Sequence, residues 1–259
     1  MATSQEIEKV ADLLLESAKT KTSIPPVRDI IGATDVDAAY AAQEINVNRR
    51  KSAGEKVVGK KIGLTSFAVM EQLGVNQPDY GILFDSMTVQ NGVLPYSELM
   101  QPKAEAEIAF VMAQDLDGDI NISDLIEAID YATVSIEIVG SRVADWNIRI
   151  TDTIADNASA SHFILGDNKV SLDDIDLVGC KMSMTKNGEI ASEGSGKACM
   201  DNPLNAALWL AQKMSEQGSP IQKGDILLSG ALGPMVPIDQ GDEFEAVIEG
   251  LGSVSLKIN

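Results

Sequence analysis

Pro102-Lys103-Ala104-Glu105-Ala106-Glu107-Ile108-Ala109-Phe110-Val111-Met112 alternates as a β-strand does, with Glu105 and Glu107 on one face and Ala104, Ala106, Ile108 and Phe110 on the other. Same-face neighbours in a strand stand roughly 7 Å apart at Cα, close enough for two Glu side chains to converge on one cation and repulsive without it. A solvated strand face explains the same spacing. Glu137 shifts the reading toward a metal, because it interrupts the apolar strand pattern Thr133-Val134-Ser135-Ile136-Glu137-Ile138-Val139. A lone carboxylate there is costly unless it is paired or coordinates an ion. Three Glu make an oxygen site of the kind that takes Mg²⁺ or Mn²⁺.

Outward from this strand, the chain from Lys56 onward reads as short β-rich runs separated by Gly, Pro, Asn and Asp, with Val57-Val58-Gly59-Lys60-Lys61-Ile62-Gly63 the first. The N-terminal fifth is helical instead. Residues 5–18 carry Ile7, Val10, Ala11, Leu14 and Ala18 at helical spacing; after Pro25-Pro26, Asp35 caps a second helix bearing Val36, Ala39, Tyr40 and Val47 that stops near Gly54. Two helices interrupt the β-rich part. One covers residues 123–131; the other has Asn202 as N-cap, Pro203 in its first turn, an apolar stripe of Leu204, Ala207, Leu208, Ala211 and Met214, and Gly218 as stop. The expected architecture is one mixed α/β domain over residues 1–259, a helical arm (1–55) followed by a β-rich core (56–259).

Composition removes several functional classes. The 39 Asp and Glu against 20 Lys and Arg leave a formal charge of −19, which repels a phosphate backbone, so nucleic acid is not an expected partner. No apolar run reaches the roughly 18 residues of a membrane helix, and the first residues show no basic-then-apolar signal pattern; a cytoplasmic protein is expected. With His162 the sole histidine and only Cys180 and Cys199, a tetrahedral Cys/His zinc site cannot form, and both cysteines read as reduced. His162 enters an apparent strand and reads as a packing residue. Asp115, Asp117 and Asp119 have Gly118 at the wrong place for a calcium loop. Gly194-Ser195-Gly196-Lys197 lacks the first Gly and the final Ser or Thr of a phosphate loop, so nucleotide binding there is rejected.

Proton transfer therefore falls to Asp, Glu, Lys or Tyr. Lys61 follows apolar strand residues, where burial would lower its pKa toward neutrality. Asp79, in Gln77-Pro78-Asp79-Tyr80-Gly81, sits in a turn-like segment suited to covering a site. By spacing alone, a surface lysine and an ordinary turn aspartate are the preferred readings of these two positions.

Taken together, Lys61-Ile62-Gly63-Leu64-Thr65, Gln77-Pro78-Asp79-Tyr80-Gly81, Glu105-x-Glu107, Glu137-Ile138-Val139-Gly140-Ser141-Arg142, Asp156-Asn157-Ala158-Ser159 and Gly230-Ala231-Leu232-Gly233-Pro234-Met235-Val236 resemble the hydratase branch of the fumarylacetoacetate hydrolase superfamily. The resemblance implies a mixed β-sheet roll preceded by helices, in a cytoplasmic homo-oligomer of meta-cleavage aromatic catabolism. It implies Glu105, Glu107 and Glu137 as Mg²⁺ or Mn²⁺ ligands, Lys61 and Asp79 as proton-transfer groups, and Leu64, Thr65, Ser159 and Gly230 as substrate-pocket positions. The implied reaction is hydration of 2-hydroxypenta-2,4-dienoate to 4-hydroxy-2-oxopentanoate. The alternatives are 4-oxalocrotonate decarboxylase, disfavoured because residues 230–236 carry no cation for a second carboxylate, and a non-catalytic partner subunit of a hydratase–decarboxylase assembly. Association with the next pathway enzyme or with the decarboxylase paralogue is a further implied possibility.

Overall fold

The computed structural model describes residues 1–67, 70–71 and 75–259. Its N-terminal arm is helical as the spacing predicts. Helix α1 (Ser4–Thr20) starts at a capping box in which the Thr3 hydroxyl accepts from the Glu6 N–H and the Glu6 carboxylate returns the bond. A short α2 (Arg28–Ile31) leads to α3 (Val36–Ser52), capped by Asp35, whose carboxylate accepts from the Ala38 N–H at 3.2 Å. Val10, Ala11, Leu14, Val27, Ile31, Ala38, Ala39 and Ala42 close this layer against Ile154 and Ala155 of α5 (Ile150–Ala155), which belongs to the β-rich part.

Two sheets form the rest. The larger contains β1 (Val57–Gly63), β2 (Asp79–Phe84), β4 (Lys103–Met112), β5 (Ile129–Val139), β6 (Ala160–Leu165) and β9 (Ile226–Ala231) in the order β2-β1-β9-β4-β5-β6, with β10 (Val236–Pro237) attached to β4. Within it β1 runs parallel to β9 and the remaining pairs are antiparallel. The smaller sheet orders β3 (Val93–Leu94), β12 (Gly252–Ile258), β11 (Glu243–Ile248), β7 (Lys181–Lys186) and β8 (Glu189–Ser195). The apolar face of β4 (Ala104, Ala106, Ile108, Phe110) shares one core with Phe244, Ala246, Ile248 and Leu256 of the smaller sheet. The opposite face of β4 is thereby free for chemistry.

The central helices follow the sequence with two corrections. Helix α4 ends at Ala128 rather than near Tyr131 (Ile122–Ala128), because β4 claims the following residues: Met112 pairs with Ile129 and Val111 with Tyr131. Helix α6 (Pro203–Glu216) buries Leu204, Ala206, Ala207, Leu210, Ala211 and Met214, leaving Leu208 at the edge of the stripe. The short α2 and α5 lack a readable period; α5 buries Thr151, Asp152 and Thr153 as completely as its apolar residues. Cys180 and Cys199 are both buried and free. Among the described residues, no helix is long and apolar enough to cross a membrane.

Candidate active site

The β4–β5 register builds the acidic centre. Glu105 stands directly opposite Glu137, and Glu107, one pleat further on the same face, stands opposite Ser135. One carboxylate oxygen from each of the three Glu lies within 4.8 Å of the others. Glu107 and Glu137 are fully buried. The Gly230 N–H donates to Glu107 Oε2 at 2.9 Å, but Glu107 Oε1 and both Glu137 oxygens have no hydrogen-bond partner. Burial raises all three carboxyl pKa values and mutual repulsion raises those of Glu105 and Glu107 further, Glu105 to about 7. Orphaned buried oxygens in an all-carboxylate donor set fit a hard divalent cation, which would supply the missing charge and ligation.

Strand β1 adds the lysine. Lys61 is buried, with its Nζ 3.2 Å from Glu137 Oε1 and donating to the Ala158 carbonyl at 3.0 Å. Burial alone pulls an ammonium pKa down, as the sequence suggested. Here Glu137, Glu105, Asp79 and Glu107 outweigh it and hold Lys61 above the ordinary lysine range, the reverse of the shift expected from burial alone. Asp79 departs from its sequence reading. It is no lid but the first residue of β2, paired with Gly63 and 1% exposed. A Cβ on Gly63 would lie 2.2 Å from Asp79 Oδ1, so the glycine makes the room that lets the carboxyl fold in toward Lys61. The Thr153 hydroxyl approaches Asp79 Oδ2 at 3.3 Å, while Oδ1 has no partner; burial, working against Lys61 and Thr153, raises the Asp79 carboxyl.

Lys61, Asp79 and Glu105 line a cavity of about 730 Å³, whereas Glu107 and Glu137 are not part of its lining. Leu64, Thr65 and Ser159 line it, together with the apolar Trp146, Ile148, Leu232, Pro234 and Met235. Gly230 does not line it. It lies beneath Thr65, whose Oγ1 would be 2.2 Å from a Cβ at that position, and its φ of +109° is one that glycine adopts readily. Its contribution is the N–H that holds Glu107. Lining positions that went unread in the sequence include Trp146, Thr153, Glu193, Lys103, Gly194 and Ser195. Lys103 places its ammonium 4.3 Å from the centroid of the Trp146 ring, and alternation from Glu105 already put it on the site face. Gly194 and Ser195, from the rejected phosphate loop, carried no such signal. His162 lies on β6, its Nδ1 2.9 Å from Ser161 Oγ and its Nε2 3.5 Å from Glu98, outside the cavity lining; burial lowers its pKa.

Residues 70–259 match the family model described as fumarylacetoacetate (FAA) hydrolase C-terminal. The chain belongs to the fumarylacetoacetate hydrolase family. This family member is 52% identical over 251 residues to the TodF product hydratase of Pseudomonas putida, covering 96% of this chain and 94% of that one. It is 50% identical to 2-keto-4-pentenoate hydratase 1 of Dechloromonas aromatica, with 96% and 95% covered. Among solved structures, 4-oxalocrotonate decarboxylase from Pseudomonas putida G7, complexed with magnesium and adipate, superposes with a TM-score of 0.95 at 34% identity, covering 100% of this chain and 99% of that one.

Proposed function

We propose that this chain is a divalent-cation-dependent hydro-lyase that adds water to 2-hydroxypenta-2,4-dienoate (2-oxopent-4-enoate) to give 4-hydroxy-2-oxopentanoate in the meta-cleavage breakdown of aromatic compounds. The observation that carries the reading is the Glu105–Glu107–Glu137 cluster, Glu107 and Glu137 buried with oxygens left unsatisfied, with Lys61 against it and with Glu105 and Lys61 lining a largely apolar cavity. Near 50% identity over almost the whole chain to enzymes named as 2-keto-4-pentenoate hydratases supports it.

Glu105, Glu107 and Glu137 would hold Mg²⁺ or Mn²⁺. When bound, that ion supplies Lewis-acid polarisation of the carboxylate and 2-oxygen of a 2-oxo acid. Lys61 offsets negative charge at the same end, giving an anionic substrate a favourable local field inside a protein of charge −19. Asp79, its carboxyl pKa raised, exchanges protons with the dienol carbon chain during ketonisation, and Lys61 and Asp79 between them manage the proton of the water that adds at carbon 4. Leu64, Thr65 and Ser159 bound the acid end of the substrate. Trp146, Ile148 and Leu232 give its hydrocarbon end an apolar wall. The chain acts as a single domain in a cytoplasmic homo-oligomer, alone or associated with the next pathway enzyme or the decarboxylase paralogue; light scattering of the purified protein reads the subunit number.

The test adds purified protein with Mg²⁺ or Mn²⁺ to freshly generated 2-hydroxypenta-2,4-dienoate, follows loss of the dienol absorbance and identifies the product. Cation-dependent formation of 4-hydroxy-2-oxopentanoate is expected. Carbon dioxide release from 4-oxalocrotonate without hydration would instead assign the decarboxylase activity named for the 34%-identical structure. Inactivity on both would assign a partner-subunit role.

A further inference from the structure

Residues 157–159 adopt a conformation that L-amino acids avoid. Asn157, Ala158 and Ser159 have φ of +56°, +50° and +58°, three consecutive left-handed residues with no glycine among them. Such a run persists only where its surroundings over-determine it. The surroundings here do so from three directions. The Asn157 side chain docks on the outer edge of β2, accepting from the Ile82 N–H at 2.8 Å through Oδ1 and donating to the Ile82 carbonyl at 2.9 Å through Nδ2. Both groups of an otherwise unpaired edge residue are thereby satisfied. Arg142 grips Asp156 through its backbone N–H at 2.9 Å and its guanidinium, and donates to the Asp156 carbonyl at 2.8 Å. Gly81 supplies the third constraint: a Cβ there would lie 2.3 Å from the Asn157 carbonyl oxygen and 3.3 Å from Ala158 Cβ.

The turn held in this way touches Lys61 and reaches Asp79 through Thr153. Its Ala158 carbonyl accepts the Lys61 ammonium at 3.0 Å, and Gly81 is the cross-strand partner of Lys61. Its Ser159 hydroxyl lies 3.3 Å from that of Thr153, which lies 3.3 Å from Asp79 Oδ2. Asn157, Gly81 and Arg142 do not themselves line the cavity. We infer that residues 156–159 form a preorganised seat for the Lys61 ammonium, and that Asn157, Gly81 and Arg142 are positioning residues for the reaction proposed above, on which this assignment of their kinetic effect rests. The strained backbone fixes the carbonyl direction. Lys61 consequently has one resting place rather than a choice among its neighbouring carboxylates.

Asn157→Gly is the informative variant, because glycine adopts φ near +56° without strain, so the clamp is lost while the backbone stays compatible with the fold. A misplacement on the order of 1 Å lowers kcat roughly 10²-fold. For Asn157→Gly and for Gly81→Ala we expect falls of roughly 10- to 100-fold in kcat, with KM and calorimetric Mg²⁺ affinity changed by no more than about threefold and the thermal midpoint of Asn157→Gly nearly unchanged. The double variant should be no slower than the worse single one, since both release the same turn. Acetylation of Lys61 by acetic anhydride, read by peptide mass spectrometry, should be at least about tenfold faster in Asn157→Gly than in the unaltered protein. Unchanged kcat in Asn157→Gly, loss only in proportion to the unfolded fraction, or unchanged Lys61 labelling would each overturn the seat. Should the unaltered protein fail to hydrate the dienol, the functional reading fails, and the labelling comparison alone decides the seat. If Gly81→Ala does not fold, Asn157→Gly carries the decision.

Discussion

Lys60 and Lys61 are adjacent on β1 and point to opposite sides of the sheet, into two very different surroundings. Lys60 meets Asp225 in a buried ion pair, and Asp225 also accepts from the Gln222 N–H at 2.8 Å. One ammonium faces one carboxylate. Lys61 faces Glu137, Glu105, Glu107 and Asp79 together, and oxygens of Glu107, Glu137 and Asp79 have no hydrogen-bond partner. The first arrangement is complete and its work is structural. The second places more buried carboxyl groups around one ammonium than it can balance, and a cation there, as proposed, would restore the balance.

The comparison breaks most visibly at the acids. Glu107→Gln keeps shape but removes one ligand charge, and should lower turnover by at least about 10³-fold while circular dichroism stays native, as the loss of several kcal/mol of transition-state stabilisation requires. Retained metal-dependent turnover would remove Glu107 from the ligand set. Substituting the two lysines in parallel separates chemistry from structure. Lys61→Met should reduce kcat by roughly 10²- to 10⁴-fold. Lys60→Met should leave kcat of the folded protein near normal but cost about 3–5 kcal/mol of stability in chemical denaturation, because Asp225 is left buried and alone. An exchange of these two outcomes would reverse the assignment of the two faces.

A smaller effect sharpens the same contrast. Mg²⁺ at about 100 times its Kd should add roughly 2.7 kcal/mol of stability, a rise of about 5–10 °C in thermal midpoint, which Glu107→Gln should abolish and Lys60→Met should retain. Smallest is the pH response of the metal-free protein. Burial and Glu137 raise the folded-state pKa of Glu105 from 4.5 to about 7, so the folded chain holds a proton that the unfolded chain has released. That contribution is fully present below about 4.5 and is lost as pH rises to about 7. In chelator, the protein should melt lower at pH 8 than at pH 6, and saturating Mg²⁺ should narrow the difference. A melt that rises across this interval in chelator would contradict the crowded-acid description.

Local sequence carried much of the frame. The capped helices α1, α3 and α6 and strand β1 were legible because capping, Pro placement and apolar period act over a few residues. The end of α4 was misread because a preference within one turn yields to a partner strand, and that partner lies more than ten residues away in sequence. The meeting of Glu105, Glu107 and Glu137 was readable from alternation and from one acid in an apolar run. Asp79 was misplaced as a turn residue because only its pairing with Gly63 makes it a strand. Gly230 was assigned to the pocket from a motif, whereas contact with Thr65 and Glu107 puts it beneath.

The sequence by itself determined the chemistry available: oxygen ligands without a histidine cluster, an acidic protein, and helices leading into β-rich structure. That Lys61 and not Lys60 meets the acids, as the resemblance implied, has its physical cause in the place of β1 between β2 and β9. Alternation sets relative facing within a strand, but register and neighbouring strands choose which face meets Glu137 and which meets Asp225. The seat formed by residues 156–159 likewise exists only in three dimensions, since its left-handed backbone is imposed by β2, Gly81 and Arg142 against the local preference of Asn157, Ala158 and Ser159.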